Sequence, residues 1–215
     1  MRSRSSAVRT PTQKQRQVWD RSAPGYDRQI AFAERFWFTG GREWLARRAC
    51  GRVLEVAVGT GRSLEFYDPA VTLTAVELSA AMFDRARTRA KELQLDVQLL
   101  EGDAEALPVA DESFDTVVCA LSLCSIPDPP RAIAEMRRVL VPGGQLLLLD
   151  HVVSTRFAVR AVQRVVEQAT TRLAGEHFTR RQLPLVLAAG LQVVEAERLK
   201  AGTVERLRAI RPGGT

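Results

Sequence analysis

The sequence predicts an α/β protein built on a mostly parallel sheet with helices on both faces. Short apolar, β-branched runs recur along the chain, each bounded by turn residues. Helical periodicities lie between them. Within the runs apolar residues stand at consecutive rather than alternate positions, as in strands covered on both sides.

The elements follow in order. Residues 1–17 are polar and arginine-rich and read as a flexible basic tail. Residues 18–44 hold seven of the 13 aromatics, and 30–38 read as a short helix broken by Gly40-Gly41. Segment 18–48 is therefore expected as a helical cap, either packed on the body or closing a pocket. Residues 53–58 form a first strand ending in a glycine turn, and 71–76 a second. Ser79 caps a helix to about residue 93, with Met82, Ala86, Ala90 and Leu93 at helical spacing. Strands follow at 97–100 and 114–120. A helix spans 130–140, with Pro130 suited to its first turn. Pro142-Gly-Gly then leads into a strand at 145–149. Residues 157–173 form one long amphipathic helix. Another helix spans 179–189, ended by Gly190. Residues 191–199 and 204–210 alternate like a closing hairpin.

Composition narrows the function classes. With 46% hydrophobic residues over 215, the chain has enough apolar surface to offset its conformational entropy. No apolar run approaches the ~18 residues of a membrane span, and no secretory signal is visible. Cys50, Cys119 and Cys124 follow neither a zinc-ligand nor a disulfide spacing, and reduced thiols in a cytoplasmic protein are expected. Of the net charge of +6, residues 1–48 supply eleven Arg/Lys against four Asp/Glu, while the remainder is slightly acidic. A nucleic-acid partner would call for a basic face across the body. The basic segment instead suggests a solvated tail or peripheral contact with an anionic membrane.

The glycine loop Val53-Leu-Glu55-Val-Ala57-Val-Gly59-Thr-Gly61 carries the chemistry. In an α/β sheet such a loop meets a ligand at the carboxyl edge. A dinucleotide fingerprint needs a small residue at position 64, where Leu64 stands. Glu55 in the strand would not favour a pyrophosphate, and suits a ligand with positive charge. Glu77 ends the second strand, and its carboxylate can accept both hydroxyls of a ribose. Asp103 follows the third strand and can accept from an adenine amine. Three acids ending successive strands beside a glycine loop point to S-adenosylmethionine, which carries a sulfonium and an ammonium but no phosphate.

The block Glu55-x-Ala-x-Gly59-x-Gly61, Val76-Glu77, Gly102-Asp103-Ala104, Phe114-Asp115 and Leu140-x-Pro142-Gly143-Gly144 resembles the class I S-adenosylmethionine-dependent methyltransferases. The resemblance implies a Rossmann-like seven-stranded sheet of order 3-2-1-4-5-7-6 with its last strand antiparallel, and assigns 49–215 to the methyltransferase domain. It implies that Gly59 and Gly61 face the methionine portion, Glu77 the ribose, and Asp103 and Ala104 the adenine. Leu78 and Leu121 join the cofactor set, as does Tyr26 of an N-terminal segment that closes over the cofactor. Ala57 stands where the family often has glycine. A narrower resemblance, through Glu65-Phe-Tyr-Asp-Pro, Leu121-Ser-Leu-Cys-Ser125 and Asp150-His151-Val152, is to thiol methyltransferases and bacterial phosphatidylethanolamine N-methyltransferases.

His151 follows the fifth strand and is the candidate base for taking a proton from the acceptor. Cys124 reads as buried and inert, and no metal-ligand spacing is seen. The expected activity is methyl transfer to a small, partly apolar acceptor, with a thiol ahead of a phospholipid amine or of a quinone-type O- or C-acceptor. A cofactor-binding protein without turnover, or a nucleic-acid methyltransferase, would require a closed acceptor side or a basic body respectively.

Overall fold

The computed structural model describes residues 9–38, 40–173 and 175–213. Its strands are β1 (Arg52–Val56), β2 (Thr72–Glu77), β3 (Val97–Glu101), β4 (Phe114–Ala120), β5 (Leu140–His151), β6 (Gln192–Leu199) and β7 (Val204–Ile210). They form one sheet of order β3-β2-β1-β4-β5-β7-β6, in which only β7 runs antiparallel to its neighbours. The expected order and hairpin are both present.

Burial of both faces follows from consecutive apolar residues. Leu54, Val56, Val117, Cys119, Leu146 and Leu148 enter one core, with Ile133 and Met136 of helix α4 (Pro129–Val139). Their neighbours Val53, Val118, Ala120, Leu147 and Leu149 enter the other, with Ala86 and Ala90 of α3 (Ala80–Glu92). Side chains of a strand alternate between faces, so a continuous apolar run fills both layers. Pro142-Gly143-Gly144 bulges from β5, because its pairing steps from Leu140 opposite Phe114 to Gln145 opposite Thr116.

The N-terminal expectation needs correction. Helix α1 runs Pro11–Phe36, so residues 11–17 are helical rather than a flexible tail; residues 1–8 of that expected tail lie outside the described ones. Thr10 and Gln13 close a reciprocal capping box, and Pro11 takes the first turn. The expected cap 18–48 divides in two. Helix α2 (Gly41–Ala46) is core, with Leu45 and Ala46 fully buried and Trp44 nearly so. The aromatics do not share one role either: Phe32, Phe36 and Trp37 are exposed. Trp19 and Tyr26 meet edge to face, with ring centroids 5.9 Å apart. Helices α5 (Phe157–Leu173) and α6 (Gln182–Ala188) complete the fold. Among the described residues no helix is long and apolar enough to cross a membrane.

Candidate active site

The carboxyl ends of β1, β2, β3 and β4 open into a cavity of about 770 Å³, measured to open solvent. Eight residues predicted from sequence line it: Tyr26, Ala57, Gly59, Glu77, Leu78, Asp103, Ala104 and Leu121.

Glu77 is the most constrained of these. Its Oε2 accepts the Gly59 N–H at 2.8 Å and its Oε1 the Ser79 N–H at 2.8 Å. The two donors fix the carboxylate at the end of β2 while each oxygen keeps a lone pair for a ligand. Burial raises its pKa, and the backbone donors work against that rise. Gly59 has φ +60°, and a Cβ there would meet nothing within 4 Å. It therefore leaves room for a ligand to approach the backbone.

Two non-glycine residues of the cavity wall also sit in the left-handed region, Ala57 at φ 56° and Leu121 at φ 55°. Each follows the end of a central strand, β1 or β4. Such backbone costs roughly 1–3 kcal/mol and persists where surrounding structure holds it, often at functional sites.

Three sequence expectations fall outside the cavity. Glu55 lies on β1, 1% exposed and away from the wall. Burial raises its pKa, opposed by the Ser63 hydroxyl, the Arg42 charge and the Tyr67 hydroxyl. It is enclosed in the core beside Ser63, Arg42 and Tyr67. Gly61 serves packing: a Cβ would come within 2.8 Å of Leu64 Cδ1. His151 also misses the cavity. It lines a separate small cavity with Cys124, Arg180 and Gln182, and its ring stacks on Phe178 at 4.2 Å. Asp150 anchors this corner by accepting the Cys124 N–H at 3.0 Å and the His151 N–H at 2.8 Å.

Folding brings together a group that spacing did not reveal. The ligand atoms of Cys124, Asp150 and His151 lie within 4.8 Å of one another. Arg180 lines the same cavity, and the charge of Asp150 bears on it, so the group contains its own counter-charge. Burial pushes the Cys124 thiol well up, and the Asp150 charge adds to that rise, leaving it protonated at neutral pH.

Sequence reasoning missed two features of the site. The first is the set of polar contacts that latches α1 in place, although Tyr26 in a segment closing over the cofactor was expected. The Thr60 hydroxyl donates to Asp27 at 2.6 Å, and Arg89 pairs with Asp27 at 2.7 Å. The Ser79 hydroxyl donates to Asp20 at 2.6 Å. These contacts tie α1 to the glycine loop and to α3, with Trp19 and Tyr26 on the cavity wall. The second is a buried arginine. Arg42 lines the cavity, donates to Ser63 Oγ at 3.1 Å and pairs with Glu34 at 2.6 Å. Arg62 pairs with Glu34 from the other side at 2.5 Å. Burial would raise the Glu34 pKa, but the two guanidiniums hold it below the ordinary value. Arg62 also lies 4.0 Å from Asp27, so carboxylates and guanidiniums alternate at this end of the cavity.

Residues 54–148 match the family model of a methyltransferase domain. Over 160 residues the chain is 32% identical to demethylmenaquinone methyltransferase of Thermus thermophilus, covering 71% of this chain and 73% of that protein. The chain belongs to the S-adenosylmethionine-dependent methyltransferases. It is also similar to phosphatidylethanolamine N-methyltransferase of Cereibacter sphaeroides, 38% identical over 54% of this chain and 58% of that protein. To thiol S-methyltransferase of Rattus norvegicus it is 31% identical over 67% and 62%. The chain thus spans about half the length of the first curated relatives it matches. Its fold matches that of a solved S-adenosylmethionine-dependent methyltransferase of Thermotoga maritima, at TM-score 0.71 and 24% identity over 92% of this chain and 99% of that one. The methyltransferase cofactor is S-adenosylmethionine, and the cavity suits it. Carboxylates end β2 and follow β3, a guanidinium stands beyond the glycine loop, and open space lies over Gly59.

Proposed function

We propose that this methyltransferase methylates a small, partly apolar thiol. Bound S-adenosylmethionine supplies an activated methyl group on a sulfonium. Glu77 accepts the ribose hydroxyls, Asp103 the adenine amine, and Arg42 pairs with the carboxylate of the methionine portion. Ala57, Gly59, Leu78, Ala104 and Leu121 shape the cradle. Helix α1 shields the site from water through Trp19 and Tyr26, which favours a displacement whose main demand is positioning.

One observation carries the choice of acceptor. Beyond the residues assigned to the cofactor, the wall includes Ser122, Ser125, Ile126 and Pro127, apolar surface with hydroxyls, beside Tyr26. None of these takes a proton at neutral pH, and burial pushes the Tyr26 phenol up to about 12. An acceptor must then arrive with its lone pair free. A thiol, with pKa about 8.5, does so far more readily than a phenol near 10 or an alkylammonium near 10.4. The likeness to the rat thiol methyltransferase supports the same reading. This reading gives His151 no role as base, since it stands outside the cavity wall.

The test is the rate profile against pH for a series of alkyl and aryl thiols, with a phenol and phosphatidylethanolamine vesicles alongside. The rising limb should move with the pKa of each thiol, and His151→Ala should follow the same limb. A limb near 6.5 that is common to all thiols and lost in His151→Ala would reinstate a histidine base. Preferential methylation of the vesicles would reject the thiol.

A further inference from the structure

Helix α5 is amphipathic in the inverse sense: its polar side faces the protein and its apolar side faces out. Gln163 anchors the inner side, accepting the Ser154 N–H at 2.7 Å and donating to the Val152 carbonyl at 2.9 Å. Glu167, the one acid of the helix, is also turned inward, taking the Thr179 hydroxyl at 2.6 Å and pairing with His177 at 3.5 Å. On the outer side Phe157 is 75% exposed, Val162 63% and Val165 70%, with Val166 also exposed. Helical spacing puts residues 158, 162, 165, 166 and 169 on one face, with exposed Arg164 at the edge of the outward side and Arg160 turned to the opposite side.

We propose that this face is a docking surface for an anionic phospholipid bilayer. A helix that packs on a core turns its apolar side inward, whereas one lying in a membrane interface presents apolar residues flanked by cations. The charge on α5 is complementary to such a surface, because Arg156 and Arg164 are exposed while Glu167 is turned in. A second copy of the chain meeting this face about a two-fold axis would bring arginines against arginines, which disfavours a dimer.

Docking would also set the orientation of the cavity. The segment after α5 packs at its inner end: the His177 N–H donates to the Cys124 carbonyl at 2.9 Å, and the Glu176 charge bears on Tyr26. A bilayer under α5 therefore lies beside the end opposite Glu77, and an acceptor dissolved in lipid would enter from there. The proposal holds whichever acceptor is methylated.

The experiment is co-sedimentation of the full chain with vesicles of phosphatidylcholine alone and of phosphatidylcholine mixed with phosphatidylglycerol. Wild type should partition onto the anionic vesicles, and less so at raised salt. Val162→Asp with Val165→Asp should lower partitioning at least tenfold. Arg156→Gln with Arg164→Gln should lower it by about fivefold per arginine. All four side chains lie away from the cavity wall, so calorimetric affinity for S-adenosylmethionine should be unchanged in both variants, which confirms folding. Should the aspartate variant fail to fold, the arginine variant decides alone. Equal partitioning of folded variants and wild type, or no binding of wild type to anionic vesicles, overturns the proposal. Sedimentation equilibrium showing a dimer that dissociates in the aspartate variant would give the face to a second copy instead.

Discussion

Replacing Glu77 by alanine removes the one side chain that both shapes the glycine loop and faces the cavity. The carboxylate holds the Gly59 and Ser79 N–H groups at 2.8 Å each, and in the proposed binding mode its remaining lone pairs take two ribose hydroxyls. Hydrogen bonds to a charged acceptor contribute about 1.5–3 kcal/mol each. Two lost ribose bonds therefore cost about 3 kcal/mol at the lower end, roughly a hundredfold in Kd. The freed N–H groups also destabilise the loop, while removal of a buried carboxylate offsets part of that loss. Melting should shift by only a few degrees. Calorimetric titration with S-adenosylmethionine measures the effect, with near-ultraviolet circular dichroism as the check on folding. Glu77→Gln should fall between wild type and alanine, because its amide nitrogen faces a backbone donor. A folded Glu77→Ala protein that binds within threefold of wild type would refute both the ribose contact and the cofactor's orientation.

Asp27→Ala cuts the latch between α1, Thr60 and Arg89. The cofactor Kd should rise roughly tenfold, the equivalent of one charge-assisted bond, with faster amide exchange across residues 11–36 by mass spectrometry. Gly59→Ala and Gly61→Ala should separate binding from folding. The first costs only the positive φ, about 1–2 kcal/mol, and puts a methyl group into the cavity. The second adds a clash with Leu64 and Ala86, so it should melt lower than Gly59→Ala while Gly59→Ala binds cofactor more weakly. Glu55→Gln tests buried charge by its pH dependence. Burial raises the folded pKa of Glu55 above the ordinary 4.5, so its cost is absent below that value and grows as pH climbs through the folded pKa. The variant should match wild type near pH 4 and melt higher at pH 8, by about 2–4 °C per kcal/mol relieved.

The α/β core was legible because both of its signals are local. Consecutive apolar residues at 53–54, 117–120 and 146–149 fill two layers at once, and Ser79 caps α3 through the Met82 N–H as expected. Gly59, Glu77 and Asp103 fall on the cavity wall for the same reason: the carboxyl end of a parallel strand is a position readable from pattern. By contrast, α1 was legible only in part. Pro24-Gly25 within Pro11–Phe36 argues locally against a helix, and contacts from Asp20 and Asp27 to residues more than 30 positions away outweigh that preference.

Four matters belonged to the tertiary structure alone. Packing encloses Glu55 in the core, off the cavity wall, although it sits in the same motif as Gly59. The ring of His151 stacks on Phe178 and lines a cavity other than the one walled by Gly59 and Glu77, and only three-dimensional packing decides that. Arg42 reaches the cavity through α2, which its distance from the glycine loop in sequence conceals. Periodicity marked α5 as amphipathic, but its polar anchors Gln163 and Glu167 determine that the apolar side faces out. The sequence by itself determined the sheet, the glycine loop and the kind of cofactor, because these depend on backbone pattern. The tertiary structure decided which charged side chains meet the ligand, because burial and facing depend on neighbours remote along the chain.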